Sequence, residues 1–250
     1  MPSPREPGPA PLYLELAPPG DADARIAHLF VFRDAGVLSG RGSGRFATDL
    51  FTLSLTRRSD GSGDGTGGPH LSLARPRPGF VPRQASFCGI VAGLRLSSRP
   101  ERLPPAETLA PLTSALCRAL TDDDHLAALV TALDALARAL TFAAAPQAFS
   151  DRTGRRRTRA DTGVSRRRLA SIRRFRALLG RIGHPALPLC DLALEAGYYD
   201  QSHMTACCRA FAGAPPGALR ARAARPADLS LQDAQVGDRL RLVIMDEGKE

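Results

Sequence analysis

The stretch PLCDLALEAGYYDQSHMTACCRAFAG, Pro188 to Gly213, decides how the second half of this 250-residue chain folds. It divides at Gly197, which accepts the left-handed backbone that ends one helix, and restarts at Asp200, whose carboxylate can cap the next. On the first helix Leu189, Leu192, Ala193 and Ala196 fall on one side, and on the second Met204, Cys208 and Phe211 do. The spacing predicts two short helices flanking a tight turn. The outward side of the second helix begins Gln201, Ser202 and Thr205, with His203 beside them. Polar side chains on the first turn of a helix can reach base edges or phosphates in a DNA groove.

Upstream, SRRRLASIRRFRALLGRI, Ser165 to Ile182, predicts a long amphipathic helix. Ser165 suits the N-cap, and Leu169, Ile172, Phe175, Leu179 and Ile182 form one apolar stripe with arginines around it. The charge of the chain is concentrated here. From Asp151 to Arg225 there are 16 arginines against five acidic residues, a balance of +11, while the rest of the chain carries −2. A basic block beside a near-neutral remainder fits a polyanionic partner, because neutralised phosphates release counterions. Basic runs are also common as plain solvated surface, so the charge alone decides nothing.

The first half reads differently. From Leu12 to about Ser98 the runs YLEL, HLFVF, DLFTLSL, HLSLA and GIVAGLRL are short, apolar or alternating, and separated by Gly, Pro, Asp and Ser, which predicts strands. RSDGSGDGTGGP between two of them is a loop lengthening a hairpin. It is not a phosphate-binding glycine motif, since no Lys-Ser/Thr pair closes it. RPERLPPAE reads as a linker. After Asp122, Asp123 and Asp124, which can cap a helix start, Leu126, Leu129, Val130, Leu133, Leu136 and Leu140 recur at helical spacing. That helix either dimerises the protein or packs on its own β-rich unit, the second being the simpler reading.

The expected class is therefore α+β, with residues 1–11 a flexible tail, 12–100 a small N-terminal β-rich regulatory or effector domain, 101–142 a helical linker and amphipathic helix, 143–222 an all-α DNA-binding domain and 223–250 a C-terminal tail. MPSPREPGPAP lacks the apolar run of a secretory signal, and no stretch approaches the length needed to span a bilayer, so a cytoplasmic protein is expected. The cysteines Cys88, Cys117, Cys190, Cys207 and Cys208 are scattered without C-x-x-C spacing, which points to small apolar residues and not to a disulfide framework or zinc. His28, His70, His125, His184 and His203 are isolated from one another, and no Ser or Cys has a placed base, so neither an enzyme, a metal nor a cofactor is expected.

The run LCDLALEAGYYDQSHMT, followed by R-x-F-A-G-x-x-P-G-A-L-R, resembles the second helix-turn-helix of AraC/XylS-type transcriptional regulators. SDRTGRRRTRADTGVSRRRLASIRRFRALL resembles the first recognition helix of that family and the long helix joining the two halves; together the matches cover about a third of the chain. The resemblance implies a bacterial, sequence-specific regulator with two helix-turn-helix subdomains reading successive major-groove turns of duplex DNA. RNA polymerase, a small-molecule effector at the N-terminal domain and a second copy of the chain are further implied partners. It assigns base contacts to Arg152 and Arg156 in the first recognition helix and to Gln201, Ser202 and His203 in the second, with Thr205 on a phosphate. Arginine can read guanine and glutamine adenine with paired hydrogen bonds.

The departures are specific. Gly154 and Thr158 stand where the family pattern has a buried Leu and a buried Phe, Pro146 stands where the preceding helix should run, and Ala206 and Cys208 replace an Arg and a Phe. Lost core side chains cost about 2 to 5 kcal/mol each, so the first helix-turn-helix is expected to be degenerate. The alternative is a degenerate family member acting as an interaction or structural protein, with weak or non-specific DNA binding.

Overall fold

The computed structural model describes residues 12–35, 44–58, 69–82, 87–119, 125–143, 151–183, 187–224 and 238–245. Strand β1 (Leu12–Leu16) buries Leu12, Leu14 and Leu16 and half-exposes the residues between, the alternation of a strand with one face on a core. In β2 (Ile26–Ala35), β4 (Phe51–Arg58) and β7 (Cys88–Leu96) Leu29, Val31, Leu53, Leu55, Ile90, Ala92 and Leu94 share that face, and much of the opposite face is buried as well. With β5 (His70–Ala74) and the C-terminal strands β8 (Ala223–Ala224) and β9 (Leu240–Met245) these form a seven-stranded antiparallel sheet of order β5-β4-β7-β2-β1-β9-β8. The five runs expected to be strands all are. The molecule is α+β: among the described residues an N-terminal antiparallel sheet is followed by seven helices.

Two helices, α1 (Ala106–Ala119) and α2 (Leu126–Ala139), cover the apolar face with Leu112, Leu116, Leu129, Val130, Leu133 and Leu136. Helix α2 thus packs on its own sheet. Helix α1 corrects the reading of this region as a linker with one helix. Its apolar residues recur correctly, but the Pro-rich approach and Pro111, which sits on an exposed position, hid the periodicity. Asp122 to Asp124 lie outside the described residues, and His125, the residue before α2, makes no side-chain cap.

The expected C-terminal tail is corrected too. After β8 (Ala223–Ala224) the chain adds β9 (Leu240–Met245) beside β1, with Leu12 opposite Met245, Glu15 opposite Leu242 and, after a one-residue shift, Leu16 opposite Leu240. The guanidinium of Arg239 fixes this return, donating to both carboxylate oxygens of Asp134 on α2 at 2.7 Å and to the carbonyl of Ala17. Such a two-pronged pair fixes orientation as well as distance.

Between α2 and β8 lie α3 (Asp151–Thr162), α4 (Arg166–Ile182), α5 (Leu189–Glu195), α6 (Gln201–Ala212) and α7 (Pro216–Arg222). Helix α4 is the spine of this unit. Ser165 caps it, its hydroxyl accepting from the Arg168 amide at 3.3 Å, and Ile172, Phe175, Leu178, Leu179 and Ile182 pack with Leu192, Ala193, Met204, Cys208 and Phe211 in a second core. Among the described residues no helix is long and apolar enough to cross a membrane.

A short ribbon joins the two units. Strands β3 (Gly44–Arg45) and β6 (Val81–Pro82) pair, and the bridge between Thr48 and Arg77 continues them. This arm ends on α6: the amides of Ala47 and Phe80 donate to the carbonyls of Phe211 and Ala210 at 2.8 and 3.1 Å. Those carbonyls belong to the last turn of the helix, which has no intrahelical donors left for them. Phe46 packs its ring edge on Phe175, and Ala47 is buried in the helical core.

Candidate nucleic-acid interface

Helix α5 ends as the sequence predicts. Gly197 takes φ +77°, and the next helix starts at Asp200, whose Oδ1 accepts from the His203 amide at 2.6 Å. Capping fixes the phase of α6: Met204, Cys208 and Phe211 point into the core, and Gln201, Ser202 and His203 stand exposed on the first turn. Thr205 is half-buried, and its hydroxyl donates to the Gln201 carbonyl one turn back at 2.8 Å. The His203 ring is held by the turn itself. Its Nδ1 accepts from the Tyr199 amide at 3.4 Å, and its edge meets the ring of Tyr198. The four expected site residues of α6 are thus brought onto one helical turn.

Arg152 and Arg156 lie apart from them, on α3, exposed and one turn from each other. From Arg152 to Thr162 no residue of α3 is buried; only Gly154, Thr158 and Thr162 are half-buried. The threonines bond their own helix, Thr158 Oγ1 donating to the Gly154 carbonyl at 2.9 Å and Thr162 Oγ1 to that of Thr158 at 2.6 Å. A side chain at Gly154 would meet the Arg166 guanidinium, with Cβ 3.0 Å from its Nη2. Helices α3 and α6 both pack on α4. Pro146 and the residues around it lie outside the described residues.

The surface around α3 and the start of α4 is basic, with Arg155, Arg157, Arg159, Arg166 and Arg167 exposed beside Arg152 and Arg156. The sequence counted these only as bulk charge. It also counted arginines that the fold uses internally. Arg168 donates to the Pro78 carbonyl at 2.9 Å and lies over the Phe211 ring, Arg174 lies over Tyr198, Arg181 pairs with Glu195, and Arg220 donates to the Ile182 carbonyl. Arg173 and Arg176 both donate to Asp49, from Nε at 2.9 Å and from Nη1 at 3.1 Å. Part of the +11 is therefore structural.

Behind those two arginines lies the second face of the sheet, which is polar where the first is apolar. Arg176 Nη2 stands 3.1 Å from Nδ1 of His28, His28 Nε2 stands 3.2 Å from Glu15 Oε1, and the Tyr13 hydroxyl donates to that same carboxylate oxygen at 2.6 Å. Arg95 completes the cluster, donating to Thr52 Oγ1 and lying over the Phe30 ring. Burial would push the Glu15 carboxyl up, but His28, the Tyr13 hydroxyl and Arg176 outweigh it and hold it at about 2. Burial pushes His28 below the usual histidine range; Glu15 opposes this, and Arg176 and Arg95 add to it. Nothing in the sequence pattern marked these residues as a group.

No protein-family model, curated protein or solved structure matches this chain.

Proposed function

We propose that this chain is a sequence-specific, double-stranded-DNA-binding transcriptional regulator, in which α5, the turn and α6 act as a helix-turn-helix. The observation that carries the reading is the first turn of α6. It is exposed at Gln201, Ser202 and His203, capped by Asp200 and fixed from behind by Met204, Cys208 and Phe211, with exposed arginines on neighbouring α3 and α4. A rigid helix carrying polar residues at its start can enter a major groove and hold paired hydrogen bonds to base edges, while arginines beside it take up phosphates. In this reading Thr205, half-buried and with its hydroxyl bonded along its own helix, makes the weakest contribution of the four.

The first helix-turn-helix contributes charge more than sequence readout. No residue of α3 between Arg152 and Thr162 is buried, and α2, the helix before it among the described residues, is committed to the sheet. A helix without an apolar anchor cannot keep the geometry that base reading needs.

The test is selection of bound duplexes from a randomised pool, followed by binding of single variants to the enriched and the scrambled sequences. Gln201→Ala should cost about 1 to 3 kcal/mol on the enriched site and relax base preference, whereas Arg152→Ala and Arg156→Ala should weaken both duplexes alike. If Arg152→Ala erases discrimination while Gln201→Ala leaves it intact, the roles of α3 and α6 are reversed. If no duplex is enriched, the protein is not a sequence-specific regulator, and the alternative of an interaction or structural protein stands.

A further inference from the structure

Helix α4 is the common seat of the interface helices, and the sheet unit holds it through a buried polar chain. Asp49 has a 4% exposed side chain and receives Arg173 on Oδ2 and Arg176 on Oδ1. Arg176 then reaches on to His28 Nδ1. A guanidinium can only donate, so Nδ1 must be the unprotonated, accepting nitrogen of His28. The ring proton therefore sits on Nε2, which faces Glu15.

We propose that Asp49 and His28, residues of the sheet unit, are positioning residues for DNA binding. Through Arg173 and Arg176 they hold α4, and with it α6, in the pose that presents Gln201, Ser202 and His203, and acid releases that hold. The inference rests on the proposed DNA-binding function. A second proton on His28 goes to Nδ1, which removes the acceptor of Arg176 and sets two cations face to face at the 3.1 Å contact. The groups facing His28 are Glu15 and Tyr13 on β1, Arg95 on β7, and Arg176 on α4 with Asp49 beyond it. Glu15 stabilises the new charge, yet it already takes the Tyr13 hydroxyl and cannot follow the ring to Arg176. What acid weakens is then the tie to α4, not the sheet. The seat matters because Phe175 of α4 packs directly on Phe211 of α6, ring centroids 5.5 Å apart, so a shift of one helix moves the other. Base-edge contacts tolerate little of that.

The experiment uses the full chain, its His28→Gln and Asp49→Asn variants, and labelled duplexes of the enriched and the scrambled sequence, with affinity for the enriched one as the readout, at pH 7.5 and pH 5. Glutamine keeps an acceptor for Arg176 but does not titrate. Wild type should bind more weakly at the lower pH, by up to about tenfold, the weight of one charge-assisted hydrogen bond, while His28→Gln binds as wild type does at neutrality and keeps that affinity in acid. Asp49→Asn should bind about tenfold more weakly at both values. A second readout needs no DNA: amide exchange across residues 166–182 should quicken in acid in wild type and not in His28→Gln. Parallel acid responses of wild type and His28→Gln in both readouts overturn the proposal. So does unchanged binding by a folded Asp49→Asn. If no variant binds duplex at either pH, the DNA-binding reading fails, and the exchange comparison still decides whether His28 holds α4.

Discussion

Gly213 concentrates the join between the arm and the candidate recognition helix in one residue, and replacing it with alanine tests that join. Two costs can be worked out. The residue sits at φ +73°, where an L side chain is disfavoured by about 1 to 2 kcal/mol. A Cβ there would also lie 2.5 Å from Cε1 of Phe80 and 2.7 Å from its Cδ1, well inside contact distance. Phe80 cannot retreat freely, because its ring also covers Gly44 and its amide is bonded to Ala210. Overpacking of this kind costs about 1 to 3 kcal/mol, so Gly213→Ala should destabilise by about 2 to 5 kcal/mol in all. At about 2 to 4 °C per kcal/mol for a chain of this size, that lowers Tm by about 4 to 20 °C. The decisive assay is a double-mutant cycle by chemical denaturation. In a Phe80→Ala background the ring is gone, and Gly213→Ala should cost only the backbone part, about 1 to 2 kcal/mol. Equal costs in both backgrounds would refute the packing of the arm against α6.

Three further outcomes are expected. Tyr198 buries a hydroxyl with no hydrogen-bond partner among the described residues, so Tyr198→Phe should be neutral or stabilise by about 1 kcal/mol in denaturant titration; a loss above about 1 kcal/mol would show that the hydroxyl is satisfied. His28 is held below its ordinary range, so the unfolded chain takes up a proton first as pH falls. Stability should therefore drop below about pH 6.5 in wild type and less in His28→Gln, whereas Glu15, held at about 2, adds its own loss only below about pH 4, readable from Tm against pH. Duplex affinity should fall with salt at a log–log slope near −5 if about six phosphates are neutralised, and a flat titration would remove the electrostatic argument.

What could be read from the sequence was whatever repeats over one or two turns. The caps at Ser165 and Asp200, the left-handed Gly197 and the stripe of α4 are local chemistry, and each recurs in the structure. The exposure of Gln201, Ser202 and His203 followed from that phase, because once Asp200 starts α6 and Met204 and Phe211 face inward, the first turn has nowhere to go but outward. What stayed hidden depends on partners far along the chain. Strand β9 is apolar enough to notice, but its reason to be a strand is β1, more than 220 residues away. Asp49 and His28 are single polar residues in a β-rich stretch, and only the return of α4 over the sheet gives them Arg176. Charge counting failed for the same reason, since a tally cannot separate an arginine facing solvent, such as Arg156, from one clamped on Asp49.

The topology gives these ties a common consequence. The helical unit leaves the sheet unit after α2 and returns to it through β8 and β9, so it is an insertion, held at both ends and again at the arm. Ala47 and Phe46 help to build its core. A fragment cut at residues 143–222 would lose all three ties and leave the carbonyls of Ala210 and Phe211 without the donors that the arm supplies, each uncapped polar group costing about 1 to 3 kcal/mol where water cannot replace the bond. Helix α3 stands outside this closed arrangement: its described side chains are exposed or half-buried, and it packs on α4. Under the proposed function the two helices then divide the work by how firmly each is held. Helix α3 can follow a phosphate backbone wherever it lies, which adds affinity without register. Helix α6 is fixed from the front by its cap, from behind by α4 and at its far end by the sheet unit, so it alone has the rigidity from which base discrimination can come.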